Sequence, residues 1–393
     1  MLDSSSWLCW LRAARHVVIA ATLVLGVPPA AIAADEPTPA PAPAPQDHEH
    51  DAAAAPADAA RTYPSLKIAG FGDVNYSATD KPEGPKGFTL GQLALHMASE
   101  LSPRVTFFGE LSFTARADAG TGTPAATGFN TEVERMILRF DQSDMLKVSF
   151  GRYHTPINYW NTAFHHGQWL QTTIARPEMI QFGGRLLPVH FVGALLEGAV
   201  PAAGWNLNYK AGIGNGRASA ISRGGDAGDV NGNRAWLVNL FSKPDRFYGL
   251  EFGTSLYGDR ITTAAARDFT EQIVSAHVAW QKEDPEFIAE FASVRHDEVG
   301  NPSVTWSHAY YLQGAYRLPQ FNRLWKPYFR FEHIGINSGD AIFTGVPNLD
   351  GSTVGVRYDA STFAAIKGEV RSWTRGEGSV RNTGGFFQVC FTF

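Results

Sequence analysis

The chain has 393 residues and a formal net charge of -5 at pH 7. So mild a charge argues against a nucleic-acid-binding protein. Aromatics at 12%, 39 glycines and only 18% charged residues suit short alternating strands and tight turns better than a helical protein rich in Glu, Lys and Leu.

Residues 1–33 read as a secretory signal peptide. Arg12 and Arg15 supply positive charge, Val17 to Val27 form an apolar run, Pro28 and Pro29 end it, and Ala31-Ile32-Ala33 fits a small-x-small cleavage site. The run is too short to span ~30 Å of hydrocarbon at about 1.5 Å per residue. Cys9 leaves with this segment, so Cys390 is the lone cysteine of the mature chain and no internal disulfide is expected.

Residues 34–62 form a Pro/Ala-rich linker, with Pro37, Pro39, Pro41, Pro43 and Pro45 favouring an extended, solvated chain on the periplasmic side. Within it, His48-Glu49-His50 lies between Asp47 and Asp51. Such a strip can hold Zn²⁺ or Cu²⁺ loosely. A flexible strip has no surrounding groups to orient its ligands, so no metal site is assigned.

Residues 63–393 read as a single all-β unit. Segments of roughly ten residues alternate apolar and polar, the pattern of strands crossing a bilayer at a tilt. From Arg104 to Arg116, Val105, Phe107, Gly109, Leu111 and Phe113 share one face, and Thr106, Phe108, Glu110, Ser112, Thr114 and Arg116 share the other. Alternate connections are very short, as at Leu101-Ser102-Pro103, Asp141 to Asp144 and Glu283 to Pro285. The intervening ones are mostly longer, as at Ala117 to Thr127, Thr155 to Pro188 and Asn337 to Gly351. Short turns on one rim and long loops on the other predict a transmembrane antiparallel β-barrel of about 16 strands. The soluble alternatives are a β-sandwich or a propeller; no repeated blade motif supports the latter.

The longest connection, Thr155 to Pro188, carries Tyr159, Trp160, Phe164, His165, His166 and Trp169. A loop this long is usually functional or disordered. A barrel of this size encloses an aqueous pore, so these six residues are expected to form a pore constriction. The alternative is an aromatic tip outside the membrane. His154, His165 and His166 form a second histidine group, read as hydrogen-bonding or stacking residues because no ligand spacing sets them apart.

Strand parity places Arg116, Arg135, Arg139, Lys147, Lys210, Arg317, Lys326, Arg330, Arg357, Lys367 and Arg371 on inward faces. The inward acids are Glu110, Glu197, Glu251, Glu290, Glu332, Asp359 and Glu369. Bases outnumber acids, which predicts a weak anion preference. Arg330/Glu332 and Lys367/Glu369/Arg371 alternate in sign and can pair within their strands.

The last strand, Gly384 to Phe393, places Phe387, Val389, Phe391 and Phe393 toward lipid and Phe386, Gln388, Cys390 and Thr392 toward the lumen. It resembles the C-terminal strand of bacterial outer-membrane proteins, which the barrel-assembly machinery reads. The junction Gly151-Arg152-Tyr153-His154-Thr155-Pro156-Ile157 resembles the start of the third loop in phosphate-selective porins of the O/P type, where Lys is common at the position of His154. The resemblance implies a channel for passive diffusion of small hydrophilic solutes across the outer membrane, filtering by size and charge. It also implies a homotrimer and no cofactor or catalytic residue. The remaining readings are a closed adhesive or receptor barrel and a lipid hydrolase; neither a G-x-S-x-G elbow nor an H-E-x-x-H helix occurs.

Overall fold

The computed structural model describes residues 62–80, 86–115, 129–181, 185–217, 221, 225–376 and 380–393. The signal peptide, nearly all of the linker with His48-Glu49-His50, the Ala117 to Thr127 connection and Arg116 lie outside the described residues.

Sixteen strands follow in chain order. They are β1 (Lys67–Thr79), β2 (Gly87–Ser102), β3 (Val105–Ala115), β4 (Phe129–Ser143), β5 (Leu146–His154) and β6 (His190–Val200). Next come β7 (Leu207–Asn215), β8 (Ala235–Ser242), β9 (Leu250–Thr262), β10 (Asp268–Gln281) and β11 (Glu286–Glu298). The last are β12 (Val304–Ala315), β13 (Trp325–Gly335), β14 (Leu349–Ser361), β15 (Ala364–Arg375) and β16 (Asn382–Thr392). Each strand pairs antiparallel with its chain neighbours, and β1 pairs with β16 to close the barrel. Closure leaves no sheet edge, which hydrocarbon demands because it offers backbone groups no partner. The even number puts both ends on the rim of short turns, and the Thr155–Pro188 connection runs between β5 and β6.

Alternation in the sequence becomes two faces of the wall. Along β10, Ile273, Ser275, His277 and Ala279 are buried, while Val274 and Val278 are exposed on the outside. In β16, Gln388 and Cys390 are buried inside, and Val389, Phe391 and Phe393 face out. Outward Leu138, Phe150, Ile213, Leu240, Phe291, Leu312 and Val354 continue this belt around the barrel. An apolar surface on that scale belongs in lipid, not in water. Trp205, Phe247, Tyr248, Phe321, Phe363 and Phe393 are exposed near the short-turn rim, as in the aromatic girdle of a membrane interface.

The closing β1–β16 ladder runs from Thr79–Gly384 to Phe71–Thr392 and continues into the last residue. Gly70 N–H donates to the Phe393 carbonyl at 2.9 Å, and Phe393 N–H donates to the Gly70 carbonyl at 3.0 Å. A second tight seam runs through Gly151, Gly193 and Gly214, which face one another across β5, β6 and β7. Gly151 has φ 151°, a value that side-chain-bearing residues rarely adopt. A Cβ on Gly193 would lie 2.2 Å from the Ile213 carbonyl oxygen of β7, and backbone in a ladder cannot step aside.

Gly193→Ala is therefore expected to destabilise the barrel by about 1–3 kcal/mol, the usual cost of overpacking. Gly368→Ala, which meets nothing within 4 Å, serves as its neutral control. Thermal loss of the β-sheet circular dichroism signal in detergent measures both; equal midpoints for the two variants would contradict this account of the glycine seam.

Candidate functional site: a loop folded across the lumen

The β5–β6 loop turns inward at its neck. Thr155 N–H donates to the Val189 carbonyl at 2.9 Å, and the Asn161 amide donates to both the Thr155 and Val189 carbonyls at 2.9 and 3.0 Å. Asn158 takes the left-handed conformation, φ 60°, before a single helical turn, α1 (Trp160–Ala163). The loop then crosses the barrel to the far wall.

A backbone inside a barrel has no ladder to join, yet its polar groups still need partners. Charged residues of the far wall supply them. Glu290 on β11 accepts from the Tyr159 and Trp160 amides at 3.0 and 2.5 Å. Arg330 on β13 donates to the Ala175 and Arg176 carbonyls at 2.8 and 3.2 Å. Arg357 on β14 donates to the Trp169 and Gln171 carbonyls at 2.6 and 3.0 Å. Lys367 on β15 donates to the Gln168 and Thr173 carbonyls at 2.5 and 3.1 Å. Glu369 accepts from the Ile174 and Ala175 amides at 2.9 and 3.3 Å, and Glu332 from the Glu178 amide at 2.5 Å. Hydrogen bonds with an ionised partner are the strong kind, so this wall grips the loop along most of its length.

The aromatic residues do not form a tip outside the barrel. Trp160 is 1% exposed, and it joins Phe164, Ile180, Leu187 and Phe191 in an apolar core. Tyr159 packs against that core, and Phe343 from the β13–β14 connection enters it. Trp169 lies 5.6 Å from the Arg357 guanidinium, in a cation–π contact.

The other inward charges have separate positions. Arg135 binds Glu110 at 2.5 Å, with the side chains 22% and 0% exposed. Arg371 binds Glu369, with 23% and 0% exposed, and lies 3.9 Å from the Phe386 ring. Arg139 pairs with Asp141 at 2.7 Å and Glu197 at 3.6 Å, and Lys147 stands opposite Glu197 in register. Lys210 lies 5.9 Å from the Phe241 ring. Glu251 faces His277 at 3.2 Å and Lys243 at 3.7 Å. Arg317 sits apart from the strand faces, in the β12–β13 connection, where it binds Glu283 at 2.8 Å and Asp359 at 2.5 Å on the short-turn rim. Lys326, expected inward, lies beside them, 2.5 Å from Glu286.

His154, His165 and His166 come together, and two residues that parity passed over join them. His190 stands opposite His154 across β5–β6. Glu134 reaches the lumen because the β3–β4 register shifts between Glu110 and Leu111, where Arg135 and Val133 are their partners and Glu134 is left unpaired. The five residues each present one donor atom, all within 4.8 Å of one another. His154 and His165 stack with ring centroids 3.8 Å apart. Burial, and after it His154 and Arg176, push the His165 imidazole well below its ordinary pKa. Only the pairing register brings His190 here, and a regular period of two hides Glu134 beside Arg135.

No family model matches the chain, and no curated protein matches it. Among solved structures, the anion-selective porin from Comamonas acidovorans is similar at a TM-score of 0.60 and 12% identity, over 84% of this chain and 100% of that one. The outer membrane channel DcaP of Acinetobacter baumannii is similar at a TM-score of 0.57 and 12% identity, over 84% of this chain and 97% of that one. The trimer form of OmpT, an outer membrane protein of Vibrio cholerae, is similar at 0.54 and 14% identity, over 84% and 99%. At such identities the likeness establishes the fold, a sixteen-strand barrel.

Because Arg330 is wholly buried, Arg330→Met strips the loop of an anchor and leaves Glu332 without the guanidinium it binds at 2.7 Å. Breaking a buried pair in this way costs about 3–5 kcal/mol. The expected result is a barrel that still forms but is cleaved within residues 155–189 by a protease that spares the parent chain. Equal resistance in the two proteins would show that the loop is held by something else.

Proposed function

We propose that the protein is an outer-membrane channel of the porin kind, through which small hydrophilic solutes diffuse passively and which has a weak preference for anions. One observation carries the reading: a closed sixteen-strand barrel with an apolar outside holds a long loop across its charged inside. A barrel of this size leaves an aqueous channel, and a loop laid across it sets the size limit. In this reading Tyr159, Trp160, Phe164, His165, His166 and Trp169 belong to the constriction, mostly as the packed body of the loop.

The anion preference has a physical basis in how the ion pairs are turned. In Arg135–Glu110 and Arg371–Glu369 the carboxylate is fully buried while the guanidinium keeps some exposure. Glu290, Glu332 and Glu369 turn to loop amides, and Arg330, Arg357 and Lys367 to loop carbonyls, so both sets face the loop. Water in the lumen therefore meets the guanidinium side of these two pairs. The Arg139, Asp141 and Glu197 group is balanced, which keeps the preference weak. Phosphate selectivity has less support, because His154 is buried against His165 and turned away from water.

The exported location, insertion by the barrel-assembly machinery through the strand ending in Phe393, and a homotrimer complete this proposal. The trimer draws support from the trimer form of the Vibrio cholerae protein. A second reading is a barrel closed by its own loop and used as a receptor; the near-complete burial of Trp160 and the wall charges favours it.

Planar-bilayer recording separates the two. Stepwise conductance is expected, larger after deletion of Trp160 to Gln168; no conductance from the intact chain would support the closed barrel. In a salt gradient, the reversal potential should report anion preference, and Arg135→Gln with Arg371→Gln should move it toward cations. Cation preference in the parent protein would sink the charge argument.

A further inference from the structure

The histidine cluster contains a buried imidazole nitrogen, His154 Nδ1, that hydrogen bonding leaves unused. Two side-chain amides fix the tautomers. The Asn161 NH₂ donates to two carbonyls, so its oxygen accepts from His165 Nδ1 at 2.7 Å. The Gln92 NH₂ points to the Thr114 hydroxyl at 3.3 Å, so its oxygen accepts from His166 Nδ1 at 2.6 Å. With Nδ1 engaged, each of the two rings is left with Nε2 as its ligand atom. His166 Nε2 lies 3.1 Å from Glu134 Oε2. Arg152 Nη1 lies 3.4 Å from the same oxygen, so this carboxylate is where the wall and the loop meet.

The neighbouring donors converge on that point. His154 is buried, and its Nδ1 has no hydrogen-bond partner. The other Glu134 oxygen accepts from the Ser112 hydroxyl at 2.8 Å, which holds the carboxylate in place. His190 differs: its Nδ1 accepts from Arg152 at 3.1 Å, so its Nε2 donates to Glu134 Oε2 at 2.8 Å and serves to orient that oxygen.

We propose that Glu134, His154, His165 and His166 bind one divalent transition-metal ion of the zinc class, with His190, Asn161, Gln92 and Ser112 orienting the ligands. Imidazole and carboxylate suit Zn²⁺ and its neighbours and do not suit Mg²⁺. Ligands about 2.1 Å from a tetrahedral Zn²⁺ stand roughly 3.4 Å apart, so donors spread over 4.8 Å need only a small contraction. Partners on the remote ring nitrogens are the usual outer layer of such a site. Two ligands come from the wall (β4 and β5) and two from the loop, so the ion ties the loop to the wall on the side opposite the Arg330 and Lys367 anchors. The inference does not depend on conductance.

The test uses the full mature chain, folded in detergent without a histidine tag, stripped with a chelator, then given Zn²⁺ in excess Mg²⁺ and desalted. About one zinc per chain is expected by elemental analysis, as for a single closed site. The His165→Ala/His166→Ala variant should fall to background, while His48→Ala/His50→Ala keeps its zinc. Zinc at background in the parent chain, zinc unchanged in the loop variant, or zinc lost only with His48 and His50 would each overturn the proposal. Should the loop variant fail to fold, Co²⁺ bound to the His48→Ala/His50→Ala chain decides. Intense visible absorption of four-coordinate Co²⁺ supports the site, and the faint spectrum of aqueous Co²⁺ rejects it.

Discussion

Every backbone N–H and C=O that leaves water must find a partner, and the rest of this structure follows from that constraint. In the wall, the constraint is met by closing sixteen strands on themselves, with β1 against β16. In the lumen, the β5–β6 loop cannot join a ladder, so side chains meet it instead. Arg330, Arg357 and Lys367 take its carbonyls, and Glu290, Glu332 and Glu369 take its amides. The loop crosses the barrel because the far wall is built to receive it.

The charges inside the barrel thus have a structural duty before any selective one. A count of inward bases and acids treats them as equal contributors to the field in the lumen. The tertiary arrangement divides them into buried anchors, ion pairs turned with their cation outward, and a rim cluster around Arg317. The metal proposal rests on the same logic of partners, applied to a pocket where the buried His154 Nδ1 has none.

Much of the fold was legible beforehand. The period of two in β3 and β16 assigned inward Glu110, Ser112, Gln388 and Cys390 correctly, because a strand has only two faces. Turn residues such as Ser102-Pro103 and Asp284-Pro285 marked the short rim, and the Thr155–Pro188 interval matched the loop between β5 and β6. The site was less legible. Glu134 escaped because a register shift breaks the period beside it. His190 escaped because its neighbour His154 lies far away in the chain and is adjacent only through strand pairing. Arg317 fell in a connection, where parity has no meaning.

By itself, the sequence determined the strands, most of their inward and outward faces and the asymmetry of the two rims, since these depend on local alternation and turn chemistry. The tertiary structure alone decided where the long loop lies, which wall charges hold it, and that Glu134, His154, His165, His166 and His190 share one pocket. Those outcomes depend on barrel closure, which brings β11 to β15 across from β5, and no local pattern encodes a distance across the lumen.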